Sequence, residues 1–427
     1  MQGTDVLYPT RPLECFSKMK ELRRKVAWDT WNSRDNGRPL ALSGEVGATA
    51  ILGAFDAEVL PSMPTGREMR DLDWVVKLNE AAETKGYGRD CCATLRIALG
   101  AHFLGTFGLI PGKEERLVPD VVFSLALCQG QMKAHQSYAD HMGISTVHIE
   151  LPYSHPRPAE LTDYFLSQCH DAIERLEKAF GRPCDDEKLI EGVRNEWRSR
   201  LAMARIAEAQ KVVPAPLKLK NFISFVVFAW RGWNHRPEAA DFYEMALAEV
   251  EERVREGIAG FGGEKVRLLH EGTLPWFSNQ VLRYPEKYSG TYVASWTHFT
   301  NSGAFYQNDE GHWQVPPAPW ERGLELKDRD SALRALAELY LPYLMNNFVM
   351  ERPEHRLSLA QDWNIDGAVY ALDRGCIGMV TVQLESVLLF KEAGIPVVSY
   401  EMCCTNPADF DEGYYQTSID AFMDRWR

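Results

Sequence analysis

Cys128 and Cys376 stand at matching places in two similar stretches of this chain, so their thiols are the first candidates for chemistry. From Asp120 to Glu150 the sequence runs Pro-Asp, an apolar segment (Val121 to Leu127), Cys128-Gln-Gly, a helical pattern to about Met142, Gly-Ile, then Ser145 to Ile149 and Glu150. From Asp366 to Glu401 it runs Asp-Gly, an apolar segment (Ala368 to Leu372), Asp-Arg-Gly-Cys376-Ile-Gly, a helical pattern to about Lys391, Gly-Ile-Pro and a second strand ending at Glu401. The interval from Gly143 to Glu150 and that from Gly394 to Glu401 are both seven residues. A third thiol, Cys92, lies at or near a helix start, where Asp90 is the expected N-cap and free N–H groups favour thiolate over thiol. No Cys-x-x-Cys and no close His-x-x-x-His pair is present, which argues against a zinc knuckle. Three thiolates with no obvious fourth ligand are compatible with an iron–sulfur cluster in which one iron stays open to water or substrate.

The elements that must carry these thiols are βαβ units. Two parallel strands need a crossover helix of about this length, and ligands of such units gather beyond the carboxyl ends of the strands. The expected fold class is α/β, with two Rossmann- or flavodoxin-like parallel-sheet domains of similar βαβ design and an intervening and an N-terminal helical part. The expected regions are an N-terminal helical segment at 1–38, a first α/β domain at 39–155 with Cys92 and Cys128, a helical domain at 156–262, and a second α/β domain at 263–427 with Cys376. Within them, a helix is predicted over 11–35 with Met19, Leu22, Val26 and Trp28 at helical spacing. Further helices are predicted from Asp71 to Glu83, from Arg329, from Pro353 and over Ser418 to Trp426. Between Ala304 and Lys327 a polar, Pro-rich loop is expected.

Bulk properties narrow the partners. A formal charge of −13 argues against nucleic acid or an anionic membrane surface. The N-terminus lacks a signal-peptide layout, and the most apolar run, Phe222 to Trp230, falls short of the ~20 residues of a membrane helix. A soluble cytoplasmic protein is expected, whose nine cysteines are thiols rather than a disulfide framework. The P-loop pattern Gly-x-x-x-x-Gly-Lys-Ser/Thr is absent, and Gly260, Gly262 and Gly263 precede a strand instead of following one, so neither ATP hydrolysis nor NAD binding is expected of this chain.

The other candidates carry plainer readings. Cys15, Cys169 and Cys184 read as packed thiols. Cys91 and Cys92 compete for one role, and Cys92 shares a side with Leu95, Leu99 and Phe103. Cys403 and Cys404 are bystanders or substitutes. Glu45, on the turn Ser43-Gly44-Glu45-Val46-Gly47, is the candidate catalytic proton group, against the plain reading of a solvated loop carboxylate. His135 can assist it or simply pack. Trp296, Trp313 and Trp320 can wall an aromatic substrate or anchor core and loop.

At these same residues the chain resembles the benzoyl-CoA reductase and 2-hydroxyacyl-CoA dehydratase family, and looks most like the benzoyl-CoA reductase B subunits. The matching pieces are Leu-Tyr-x-Thr-x-Pro-Leu-Glu-Cys near the start, Lys-Gly-Tyr-Gly-Arg-Asp-Cys-Cys ending at Cys92, and Pro-Asp-Val-Val-Phe through Cys128. They continue with Asp-Asp-Glu-Lys-Leu-Ile-Glu at 185–191, Leu-Asp-Arg-Gly-Cys ending at Cys376, Gly-Ile-Pro at 394–396 and Ile-Asp-Ala-Phe-Met at 419–423. The resemblance implies a 4Fe-4S cluster held by Cys92, Cys128 and Cys376 with one open iron, and an acyl-CoA substrate. It also implies a homologous second catalytic subunit and a separate ATP-hydrolysing iron–sulfur activator that supplies low-potential electrons. Tyr414, Tyr415 and Ser418, where the family carries an Arg, and the pair Cys403-Cys404 depart from its pattern.

Three functions follow as expectations. The main one is the iron–sulfur subunit of an activator-dependent aryl-CoA reductase, an oxidoreductase working through a ketyl radical of the thioester, as in anaerobic aromatic degradation. The alternative is a subunit of a 2-hydroxyacyl-CoA dehydratase, a hydro-lyase. The second alternative is a non-catalytic two-lobed ligand-binding protein.

Overall fold

A computed structural model describes residues 6–44, 47–62, 71–105, 110, 113, 117–152, 159–225, 228, 232–278, 280–295, 305–342 and 351–427. Glu45 and Trp296 lie outside the described residues.

The first half contains α1 (Cys15–Trp31), β1 (Leu40–Ser43), α2 (Thr49–Gly53), β2 (Glu58–Pro61), α3 (Leu72–Glu83), α4 (Ala93–Phe103), β3 (Val121–Ala126), α5 (Gln129–Met142) and β4 (Ser145–Glu150). Helices α6 (Ala159–Phe180), α7 (Asp186–Glu208), α8 (Leu219–Phe225) and α9 (Pro237–Glu256) follow. The second half contains β5 (Val266–Glu271), β6 (Gly290–Ser295), a small hairpin of β7 (Tyr306–Gln307) and β8 (Trp313–Gln314), α10 (Arg329–Tyr340) and α11 (Arg352–Asp362). It closes with β9 (Gly367–Asp373), α12 (Ile377–Val380), α13 (Gln383–Glu392), β10 (Val397–Met402) and α14 (Glu412–Met423).

Two four-stranded sheets result, in the orders β2-β1-β3-β4 and β10-β9-β5-β6, and every pairing within them is parallel. Counted from β2 and from β6, both sheets run second, first, third, fourth in chain order. Parallel strands covered on both faces become unbroken apolar runs, and β3, Val-Val-Phe-Ser-Leu-Ala, is buried along its whole length. In each sheet the chain reverses its direction of growth between the first and third strands, the place where such folds bind ligands. Cys128 follows β3 and Cys376 follows β9, so both lie at that reversal.

The two predicted βαβ units are therefore present, and the seven-residue interval has a physical cause. Gly143 and Gly394 take left-handed conformations, with φ of 66° and 77°. Each closes its helix by the same bond, Ile144 N to Ala139 O at 3.1 Å and Ile395 N to Phe390 O at 2.9 Å. Each then feeds an edge strand.

The cores are shared with the helices between the sheets. Phe165, Cys169 and Ile173 of α6 and Leu189, Val193 and Trp197 of α7 join one apolar cluster with Phe123 and Leu125. Further along α7, Met203 and Ile206 join a second cluster with Phe242 of α9 and Leu269, Ala368 and Tyr370 of the second sheet. One helix thus contributes to both cores. No helix among the described residues is long and apolar enough to cross a membrane.

Several expectations shift. Met19, Leu22 and Val26 are buried on α1, but Trp28 is 46% exposed, because it sits about 200° around the helix from Val26. The helix after Cys376 is broken into α12 and α13 at Val382, a β-branched residue at φ 62°. The last helix begins at Glu412, six residues before Ser418, because Asp411 caps it by accepting from Tyr414 N at 2.8 Å. The expected loop at 304–327 carries the small hairpin and a 3-10 turn at Pro319–Arg322.

Candidate functional site

Each of the three singled-out cysteines is the N-cap of a helix: Cys92 of α4, Cys128 of α5 and Cys376 of α12. Cys92, not Asp90, holds the cap position of α4. The first N–H groups of a helix lack internal partners and carry partial positive charge, which favours an anion placed there. Cys128 shows this directly, since its Sγ accepts from Gln131 N at 3.4 Å. Cys92 Sγ lies 3.2 Å from Thr94 Oγ1. The Cys376 carbonyl accepts from Met379 N and Val380 N, both at 3.1 Å.

The loops bearing these residues meet. Ala93 N donates to Gly375 O at 2.9 Å, joining the neighbour of Cys92 to the neighbour of Cys376. A Cβ on Gly130 would stand 3.8 Å from Cys92 Cβ, 3.8 Å from Ile377 Cγ2 and 4.0 Å from Cys128 Sγ. A Cβ on Gly378 would stand 3.6 Å from Cys128 Cβ. Two glycines therefore act as thin spacers where three cysteine-bearing turns interlock. All three cysteines keep partial solvent access, and no disulfide links any of the nine.

Electrostatics at Cys376 is unfavourable to a bare thiolate. Burial pushes the Cys376 thiol well up, Asp373 adds to this, and the charges of Cys92 and Cys128 press in the same direction. The Met379 amide opposes them. Such a set is relieved by a bound cation, which deprotonates coordinating thiols outright. Among the described residues no three His, Cys, Asp or Glu meet as the ligand set of one metal ion. The thiolates of an iron–sulfur cluster attach to different irons, so they need not converge on one point. The donor set, three soft thiols at three helix starts, fits such a cluster.

The remaining cysteines are accounted for by packing. Cys15 and Cys169 are buried, and burial pushes both thiols up. Cys184 is half-buried and pushed up to about 11. Cys403 and Cys404 are buried, with Arg96 Nη2 3.7 Å from Cys403 Sγ and Cys404 N donating to Asp373 Oδ1 at 3.3 Å. Cys91 is half-buried.

Gly44 and Gly47 stand on either side of the segment that carries Glu45. A Cβ on Gly44 would fall 1.9 Å from Gln131 Nε2 and 3.2 Å from His135 Cε1, so this end lies against the helix that Cys128 caps. At the other end, the Tyr340 hydroxyl donates to Gly47 O at 2.6 Å, and Glu196 Oε2 accepts from Ala50 N at 3.0 Å. His135 is fully buried, with Nδ1 3.0 Å from Ser124 Oγ and Nε2 without a hydrogen-bond partner among the described residues. Burial, and secondarily His148, pushes it down to about 3, so it is neutral near pH 7. Trp313 is a core anchor, 2% exposed, with Nε1 donating to Ser358 Oγ at 3.0 Å. Trp320 packs half-buried against the first core.

Beside the Cys376 loop an open groove of about 890 Å³ runs along the β10 edge, lined by Arg374, Tyr400, Glu401, Asp409, Asp411 and Glu412 among others. Its carboxylates make it a poor host for the phosphates of an acyl-CoA. Sequence reasoning missed Asp373, Arg96, Asn79 and Thr405, the polar groups that hold the cysteine turns. One signal was present: Asp373 lies inside the Leu-Asp-Arg-Gly-Cys motif.

Two parallel sheets of one topology, joined by helices, define a two-lobed α/β protein in which three cysteine-bearing turns meet. The chain belongs to the 2-hydroxyglutaryl-CoA dehydratase D-component family, whose sequence model matches residues 53–425. It is 28% identical to the lactoyl-CoA dehydratase subunit alpha of Anaerotignum propionicum, over 81% of this chain and 80% of that relative. It is 26% identical to the (R)-phenyllactyl-CoA dehydratase alpha subunit of Clostridium sporogenes, over 94% and 89%. The B subunit of the Thauera aromatica benzoyl-CoA reductase is 24% identical, over 80% and 78%. The family expected from the motifs is thus present, and the weight within it moves from the reductase branch to the dehydratase branch.

Proposed function

We propose that this chain is the iron–sulfur subunit of a 2-hydroxyacyl-CoA dehydratase. Cys92, Cys128 and Cys376 hold a 4Fe-4S cluster with one open iron, and a second, homologous subunit completes the catalytic module in the cytoplasm. An ATP-hydrolysing iron–sulfur activator supplies the electrons, in keeping with the absence of a P-loop in this sequence. The meeting of three cysteine-capped helix starts, in a chain similar along most of its length to dehydratase alpha subunits, carries the reading.

When bound, such a cluster supplies single low-potential electrons and an open coordination site to the thioester. The chain's own residues prepare the place. The Gln131 amide at the start of α5 holds the Cys128 sulfur, and the Met379 amide favours thiolate at Cys376. The Gly130 and Gly378 spacers let the three turns approach one another closely. His135, neutral and buried on the Cys128 helix, does not serve as an imidazolium acid near pH 7. Proton transfer near the leaving hydroxyl is assigned to Glu45, the residue after Gly44, which packs against Gln131 and His135 of that helix.

The reductase reading keeps one specific support, the similarity to the Thauera aromatica benzoyl-CoA reductase chain. Assay of the anaerobically reconstituted complex, with second subunit and activator, separates the two. Loss of water from an (R)-2-hydroxyacyl-CoA without reduction of benzoyl-CoA is expected. Ring reduction without dehydration would overturn the proposal in favour of the reductase.

A further inference from the structure

We propose that Asp373 is a positioning residue that fixes Cys376 relative to Cys92, acting through the loop Cys403-Cys404-Thr405. Asp373 ends β9 and is fully buried. Its Oδ1 accepts from Gly375 N at 2.9 Å and from Cys404 N at 3.3 Å, and its Oδ2 accepts from the Thr273 hydroxyl. Its backbone carbonyl accepts from Cys376 N at 3.1 Å. One side chain thus ties the turn carrying Cys376 to the segment after β5 and to the segment after β10.

From Cys404 the connection continues to the other lobe. Thr405 Oγ1 donates to Ala93 O at 3.1 Å, and Asn79 Nδ2 donates to Thr405 O at 3.2 Å. Arg96 Nε donates to Asn79 Oδ1 at 2.8 Å, and Arg96 N donates to Cys92 O at 2.9 Å. A direct link runs in parallel, Ala93 N to Gly375 O at 2.9 Å. The junction leaves no spare room, since a Cβ on Gly375 would fall 2.4 Å from Ala93 Cβ and 3.2 Å from Cys403 Sγ. The paired cysteines that depart from the family pattern therefore belong to the clamp: Cys403 meets Arg96, and the backbone of Cys404 meets Asp373. An acceptor-only group with two oxygens suits these three donors, whereas an asparagine keeps one acceptor and adds two donors. A wrongly matched buried donor is costly, so the turn gives way locally.

The inference rests on the cluster reading for its chemical purpose, but the clamp itself is testable without iron. Hydrogen exchange on the iron-free chain compares wild type with Asp373→Asn. Exchange about tenfold faster at residues 374–376 and 403–405, with β3 and α5 unchanged, is expected. Uniform acceleration over the whole chain, or no change at all, would overturn the clamp. Should Asp373→Asn fail to fold, Thr273→Val removes a single bond of the set and must give the same local pattern in weaker form. In the anaerobic holoprotein the variant is expected to lose iron and to shift both the electron paramagnetic resonance spectrum and the midpoint potential. Local exchange changes with spectrum and potential unmoved would mean that Asp373 is merely structural, and would overturn its role toward Cys376. An iron-free wild type would defeat the cluster reading instead, and the exchange result would still decide the clamp.

Discussion

Acidifying this chain from pH 7 to pH 5 is expected to remove much of its stability through three buried histidines. His135, His235 and His270 are each pushed down to about 3 from an ordinary value near 6.5, chiefly by burial. His270 Nε2 lies 3.0 Å from the Tyr400 hydroxyl, and His235 packs so closely that a Cβ on Gly53 would fall 2.4 Å from its Cδ2. The folded chain holds all three neutral, while the unfolded chain protonates them below about 6.5. Their contribution is therefore intact above that value and is lost as pH falls from there towards 3. At pH 5 each costs about 2 kcal/mol relative to pH 7, and the three together about 6 kcal/mol. That is comparable to the whole stability of a typical domain, about 5–15 kcal/mol. Urea unfolding of the iron-free chain, followed by tryptophan fluorescence at pH 7, 6 and 5, measures it. His270→Gln should remove about a third of the loss. A His270→Gln variant that loses as much stability as wild type between pH 7 and pH 5 would refute the reasoning.

Other outcomes follow from the packing. Gly100→Ala should destabilise by about 1–3 kcal/mol or more in denaturant melts and reduce iron retention. The new Cβ would fall 1.9 Å from the backbone oxygen of Leu78, so α4 and its Cys92 must move off α3. Glu196→Ala should cost about 3–5 kcal/mol by thermal or urea unfolding, because the buried carboxylate that offsets Arg200 and holds Ala50 N is removed. The same variant should lower turnover, since the loop leading from Glu45 loses its anchor. Cys15→Ala and Cys169→Ala should leave bound iron unchanged by colorimetric assay, as both thiols are buried in apolar clusters.

Much of the architecture was legible because burial writes itself into period and punctuation. The apolar run of β3, interrupted only by Ser124, announces a covered parallel strand, and Gly143 and Gly394, needed for left-handed caps, set the repeated interval that exposed the duplication. Cys128 and Cys376 follow from that duplication. What stayed hidden is of two kinds. Local competition misled at Asp90, a good capping residue displaced by Cys92, and at Val382, whose side chain disfavours the conformation it adopts. Long-range polar pairing leaves no periodic trace at all. Thr273 and Asp373 are 100 residues apart, and Asn79 and Thr405 are 326 apart. Only the fold brings such partners together, so the clamp on the cysteine turns could not be read from spacing.

Iron and acid-labile sulfide per chain, measured on anaerobically purified wild type beside Cys92→Ser, Cys128→Ser and Cys376→Ser, test the proposed cluster most directly. About four irons and four sulfides in a brown wild type are expected, with loss of most of both in each of the three variants and no loss in Cys15→Ser. A colourless, iron-free wild type from iron-replete cells, or a full cluster surviving any of the three substitutions, would contradict the account.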